Sequence, residues 1–192
     1  MPKARLEAFS DGVLAIILTI MVMDFHIPKG DQLSALIPIL PVLLCYVLSF
    51  LYIGIYWNNH HHMLHAVQHV TGGVLWANLH LLFWLSLLPF ATGWMGENHF
   101  ARYPTVLYGS ILLMCGVAYT ILARLLIRHE GPDSLLARAV GRDRKGLASI
   151  ALYLISLPLA FLNHWIALGI YAAVAAIWHI PDRRIERLFA TE

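Results

Sequence analysis

Long apolar stretches separated by short polar segments run through the whole chain. Six of them approach the roughly 20 helical residues that cross about 30 Å of hydrocarbon, and they cover about 7–25, 35–57, 71–95, 103–127, 146–162 and 164–180. Four prolines inside these stretches predict local bends: Pro38, Pro41, Pro89 and Pro158. Because only Asn163 and His164 divide the last two stretches, we expect them to form a tight helical hairpin. The pattern predicts an all-α membrane protein with one domain, residues 1–192, of six transmembrane helices.

The overall composition agrees with a membrane protein. Apolar residues make up 59% of the chain and charged residues 12%, against about 45–50% and about 25% in an average soluble domain. This composition excludes a disordered chain and argues against an enzyme with a soluble catalytic domain. The net charge of +2 is too small to indicate a nucleic-acid partner, so the lipid bilayer is the expected surrounding. Cys45 and Cys115 lie in apolar stretches, which is typical of small buried side chains and not of a disulfide or a metal site.

The basic residues are distributed unevenly among the segments that join the stretches. Lys29 and Arg102 lie at the ends of apolar stretches that face one side of the membrane. The other eleven of the 13 lysines and arginines lie at the ends that face the opposite side. These eleven are Lys3, Arg5, Arg124, Arg128, Arg138, Arg142, Arg144, Lys145, Arg183, Arg184 and Arg187. Because cytoplasmic loops carry the excess of Lys and Arg, we expect both termini on the cytoplasmic side of the cell inner (plasma) membrane. An even number of crossings agrees with this orientation.

The first stretch is bounded by ionisable side chains. Asp11 and Asp24 bracket only 12 uncharged residues, so a helix long enough to cross carries at least one carboxylate toward the hydrocarbon. Such a group costs several kcal/mol unless it is paired or hydrated. Asp11 either caps the helix at the interface with help from Ser10, or belongs to a buried or pore-side charge network with Arg5. Since Arg5 and Asp11 are six positions apart, such a network needs a partner on another helix or subunit.

One side of this helix carries an apolar stripe. At 100° per residue, Ile20 and Met23 fall within about 40° of Ile16, Thr19 flanks them, and Asp11 falls close to the opposite side. A transmembrane helix is apolar all round, so periodicity alone favours lipid contact or helix packing for this stripe.

Four short segments carry a resemblance to a known family. The sequence RLEAFSD at residues 5–11 resembles the R-x-x-x-F-S-D signature of the endolysosomal potassium channel family and its bacterial homologues. Residues 56–61 are similar to that family's Y-W-x-x-H-H segment after helix two, residues 78–97 to its third helix and outer turn, and residues 180–183 to its closing motif. The resemblance covers nearly all of the chain, whose single six-helix unit is like the bacterial form.

This resemblance implies a potassium channel that lacks the carbonyl filter loop of ordinary potassium channels, and no T-V-G-Y-G segment occurs here. It also implies a homotetramer, no cofactor, and permeant K⁺ in a pore lined by the first helix around a symmetry axis. The implied pore constriction consists of Ile16, Thr19, Ile20 and Met23. The residues that support the pore helix are Arg5, Phe9, Ser10 and Asp11. A ring of Ile16 side chains is expected to favour potassium over sodium moderately.

Eleven histidines leave an alternative function open. His61 and His65, like His65 and His69, are spaced to share one helical face, and with His60 they could chelate a transition metal. This reading predicts a histidine-rich metal-ion or proton-coupled membrane transporter. Because the segment contains no carboxylate or cysteine, we favour a polar interface segment at the end of helix two and no metal site.

Overall fold

The computed structural model describes residues 3–67, 70–131, 133, 134, 136, 137 and 143–179. Some of the predicted features lie outside these residues: His69, the closing motif at 180–183, and Arg138, Arg142, Arg183, Arg184 and Arg187.

Helices make up the regular structure of the described ranges, and no strand occurs in them. In chain order they are α1 (Lys3–Met23), the 3₁₀ helix η1 (Leu33–Ile39), α2 (Leu40–His65), α3 (Gly72–Ser86), α4 (Leu88–Glu97), α5 (Arg102–Glu130), α6 (Arg144–Leu162) and α7 (His164–His179). The prediction of an all-α chain is confirmed.

Five segments are long and apolar enough to cross a membrane. They are Lys3–Met23, Leu33–His65, Gly72–Glu97, Arg102–Glu130 and Arg144–Leu162. The sixth predicted span corresponds to α7, which has 16 residues and extends about 24 Å at 1.5 Å per residue. Asn163 alone separates α6 from α7, and these two helices pack together as the predicted hairpin requires.

The predicted third span is two helices. α3 ends at Ser86 and α4 begins at Leu88, with Pro89 in the first turn of α4. Proline has no N–H to donate to the preceding turn and its ring crowds that turn, so the helix breaks here. Pro38 lies in the 3₁₀ helix and Pro41 in the first turn of α2, whereas α6 continues through Pro158.

Close helix contacts set the arrangement of the bundle. α5 lies at its centre and packs against α3, α4, α6 and α7, while α1 packs on α2, α3 and α4. Gly109 of α5 faces the ring of Tyr171 so closely that a Cβ atom would collide with it. A Cβ atom on Gly96 of α4 would lie 2.6 Å from the Cα of Val42 on α2. The two glycines therefore allow α5 to approach α7 and α4 to approach α2.

Buried hydroxyl groups link helices across the core. The Tyr52 hydroxyl donates to the Tyr171 carbonyl at 2.6 Å and accepts from the Tyr153 hydroxyl at 3.0 Å. Ser49 is hydrogen-bonded to Thr92 at 2.7 Å and to Tyr108 at 2.9 Å. Lipid offers no hydrogen-bond partners, and each of these bonds ties together helices far apart in sequence. Every buried side-chain nitrogen and oxygen of the described residues has a partner.

Candidate pore-lining face of the first helix

One side of α1 is packed and the other is open. The packed side has the spacing of a helix face and consists of Leu6, Ser10, Leu14, Ile17 and Met21, each at most 3% exposed. It contacts α2, α3 and α4. α1 is therefore held to the bundle by a single face, and its rotation about its own axis is determined by that packing.

The open side carries the four predicted constriction residues. The side chains are 59% exposed for Ile16, 43% for Ile20 and 83% for Met23, and Thr19 is also exposed. An apolar face of this kind in a membrane protein is covered by lipid or by another copy of the chain. The structure thus brings these four side chains together on the one face of α1 that the protomer leaves uncovered.

The hydroxyl of Thr19 has a defined orientation. Its Oγ1 donates to the Ile16 carbonyl at 2.9 Å within the same helix. A threonine hydroxyl has one proton and two lone pairs, so the proton is used internally and the lone pairs stay available on the open face. This is the arrangement in which a hydroxyl can accept from water or contact a cation.

Three helices are joined by a buried chain of side chains that includes Ser10. The Ser10 hydroxyl donates to the Leu6 carbonyl at 2.9 Å and accepts from Asn78 Nδ2 at 3.0 Å. The Asn78 Oδ1 lies 2.7 Å from His60 Nε2, which places the donated proton on that histidine nitrogen. Ser10 and Asn78 are fully buried and His60 is 3% exposed. Because this chain links α1 to α2 and α3, it fixes the side of α1 that faces the bundle.

His60 therefore has a structural role, and its Nε2 is occupied by the amide of Asn78. The residue pattern alone does not assign a role as the partner of His60 to Asn78. The available signal was its position, since it is a lone amide among apolar residues of the third predicted span. A buried amide in such a setting needs partners on neighbouring helices, but the sequence does not say which.

Asp11 is not an N-terminal cap, because α1 begins two turns earlier, at Lys3. Its carboxylate accepts a hydrogen bond from Trp57 Nε1 on α2 at 3.0 Å. Arg5 and Phe9 are exposed, and the protomer shows no Arg5–Asp11 pair: residues six apart on one helix point in directions about 120° apart. Within the protomer, Trp57 is therefore the partner of Asp11, and the predicted pairing of Asp11 with Arg5 is not formed.

The ion pairs between described residues do not involve the four constriction residues. Lys3 Nζ lies 3.8 Å from Glu7 Oε1 in the first turns of α1. His26, just after the end of α1, has its Nδ1 3.9 Å from Oε1 of Glu97 at the end of α4. No group of three or more His, Cys, Asp or Glu side chains in the described ranges is arranged to hold a metal ion.

Known proteins are similar to this one over nearly the whole chain. The family model described as endosomal/lysosomal potassium channel TMEM175 matches residues 5–89. A protein named as a potassium channel, from Chryseobacterium sp. (strain P1-3), is 54% identical over 187 residues, which is 97% of both chains. Another protein with that name, from Streptomyces collinus, is 31% identical over 90% of this chain and 89% of its own length.

A solved structure shows the same fold. The crystal structure titled as a lysosomal potassium-selective channel TMEM175 homolog from Chamaesiphon minutus superposes with a TM-score of 0.80. It is 27% identical and covers 93% of this chain and 96% of the solved chain. The matching family and the named relatives are membrane channels, and the histidine-rich transporter is not favoured. By these matches, the chain belongs to the TMEM175 potassium channel family.

Proposed function

We propose that this chain is a subunit of a potassium channel in which several copies surround one pore and the open face of α1 lines it. The proposal rests on the two faces of α1. One face packs on the bundle and is held there by the hydrogen bond of Ser10, and the other carries the exposed side chains of Ile16, Ile20 and Met23. Membership of a channel family, and the potassium-channel names of relatives, support the choice of ion.

The constriction is proposed to select by dehydration. Apolar side chains meeting at one level form a narrow pore that resists wetting, so a cation that passes Ile16 loses part of its water shell. Potassium holds its water less tightly than sodium and therefore has the lower barrier. The lone pairs of Thr19, one turn along the helix, replace some of the lost water. This mechanism predicts moderate selectivity, because no ring of carbonyl oxygens is involved.

The oligomer is proposed to be a homotetramer. A pore stripe on a single helix needs several copies around an axis, and four is the number that the family resemblance implies. A groove lined by Ile16, Ile20, Pro89 and Phe90 runs beside α1. In the protomer this apolar groove is open, and a neighbouring copy of the chain would pack against its Pro89 and Phe90 side, with Ile16 and Ile20 left toward the pore axis.

The membrane arrangement is proposed as one six-span unit, residues 1–192, with both termini in the cytoplasm at the plasma membrane. The excess of basic residues at one set of helix ends supports this orientation. α7 is the shortest span, and a short helix is accommodated by local thinning of the bilayer or by flanking side chains that reach the interface. No cofactor is required by this function.

Ion flux in liposomes tests the proposal. Protein reconstituted under a potassium gradient should conduct without ATP, and Ile16→Asn should raise the permeability of sodium relative to potassium. Ile155→Asn on α6 is the matched control, because Ile155 is 53% exposed against 59% for Ile16. We expect the control to keep the wild-type ion ratio. A conducting Ile16→Asn channel with the wild-type ratio would refute the role of Ile16, and proton flux without potassium flux would refute the choice of ion.

A further inference from the structure

Two histidines form a pair on the surface of α2 that has no part in the pore described above. His61 and His65 are both exposed and follow each other by one turn. Their ring centroids are 6.1 Å apart, with an angle of 47° between the ring planes. Trp57 lies one turn earlier, and its ring is stacked on that of His61 at 6.3 Å. The three rings therefore form a continuous row over the last turns of α2.

The separation of the two rings is close to that of a chelate. Two imidazoles that bind one metal through nitrogens at about 2.1 Å hold their ring centroids roughly 5 Å apart. The observed 6.1 Å exceeds this by about one ångström. Because both side chains are exposed, a small rotation about their side-chain bonds brings the two rings together without disturbing the packed core.

The electrostatic surroundings favour a bound cation. The pair lies in the last turns of α2, at the end of the helix that carries partial negative charge. The carboxylate of Asp11 reaches the neighbouring Trp57 at 3.0 Å. One positive group opposes this, since Lys3 Nζ donates to the His65 carbonyl at 3.1 Å, but Lys3 is also paired with Glu7 at 3.8 Å.

We propose that His61 and His65 form a binding site for a divalent first-row transition metal, such as Zn²⁺, Ni²⁺ or Cu²⁺. The two imidazoles are the protein ligands that we assign among the described residues, which contain no metal-capable group of three or more His, Cys, Asp or Glu side chains. The site differs from the buried His60, whose Nε2 is taken by Asn78. It is independent of the proposed ion selectivity, because it uses no pore-lining residue.

Calorimetric titration of the full-length, tag-free protein in detergent with Ni²⁺ or Zn²⁺ tests the site. We expect saturable binding of one metal ion per chain, weakened at least tenfold in both His61→Ala and His65→Ala. His129→Ala is the matched control, because His129 is likewise an exposed histidine in the last turn of a helix, α5. Equal binding in all four proteins, or loss only in the control, would overturn the proposal.

Tryptophan fluorescence gives a second measurement that does not depend on the binding heat. Cu²⁺ held at His61 should quench the emission of the stacked Trp57. The quenched fraction should fall in Trp57→Phe and in His61→Ala, with the emission of His129→Ala quenched as in wild type. If Cu²⁺ quenches wild type and His61→Ala equally, the metal is bound elsewhere and the assignment is wrong.

Discussion

Replacing Asn78 by alanine should loosen the attachment of α1 to the bundle. The amide of Asn78 makes two buried hydrogen bonds, at 3.0 Å to Ser10 Oγ and at 2.7 Å to His60 Nε2. The variant removes both bonds at once and leaves the buried His60 N–H without an acceptor. Since this chain is a buried polar link between α1, α2 and α3, its loss acts directly on the helix that presents the candidate constriction.

The size of the effect follows from the number of bonds and their surroundings. Hydrogen bonds between transmembrane helices contribute about 0.6 kcal/mol on average and up to about 1.7 kcal/mol, while a neutral bond in a soluble protein contributes about 1 kcal/mol. Two such bonds therefore give about 1–3 kcal/mol for Asn78→Ala. At about 1.4 kcal/mol per factor of ten, this is roughly a 5- to 150-fold change in the unfolding equilibrium constant.

Equilibrium unfolding in bicelles, for example by steric trapping, measures this quantity. Asn98→Ala is the matched control, because the Asn98 amide is exposed and donates only to the Trp94 carbonyl of its own turn. Its cost should stay below about 0.5 kcal/mol. A double-mutant cycle with Ser10→Ala should give a coupling free energy of about 0.5–1.5 kcal/mol with Asn78→Ala. Equal costs for Asn78→Ala and Asn98→Ala, or strict additivity in the cycle, would refute the reasoning.

Two further predictions concern close packing and a buried hydroxyl. Gly109→Ala should lower the free energy of unfolding by about 1–3 kcal/mol, because the added Cβ collides with Tyr171. Gly116→Ala is the control and should not lower it, because its Cβ would meet nothing nearer than an Ile150 carbon at 3.4 Å. A similar loss in both variants would contradict this. Tyr52→Phe removes two buried bonds, to the Tyr171 carbonyl and the Tyr153 hydroxyl, so the same unfolding assay should show a loss of about 1–3 kcal/mol. Wild-type stability would show that the hydroxyl contributes nothing.

Helix boundaries illustrate where the sequence was informative and where packing decided. Hydropathy located the apolar segments well, because a chain in lipid must satisfy its backbone groups within each segment. It placed the end of the second span near residue 57, whereas α2 continues to His65. Polar histidines end an apolar pattern, but they do not end a helix. The break at Leu87 follows from Pro89, a residue for which the sequence predicted a bend.

The candidate site shows the same division. The stripe of Ile16, Ile20 and Met23 can be read from the sequence, but its exposure cannot, since a transmembrane helix is apolar all round and hydropathy does not tell a packed face from an open one. The hydrogen-bond partner of Asp11 could not be predicted from the sequence either. Trp57 lies 46 positions away, and its indole reaches the carboxylate only because α1 packs beside α2.

By itself, then, the sequence determined that the protein is a helical membrane protein and where along the chain its apolar segments lie. Those properties depend on residue type and order along one segment. Only the tertiary structure decided which partner holds Ser10 in the bundle, that Ile16 faces away from it, and that His60 is buried while His61 and His65 face outward. The physical reason is that these directions are fixed by contacts between helices, such as the one between Ser10 and Asn78 across 68 positions.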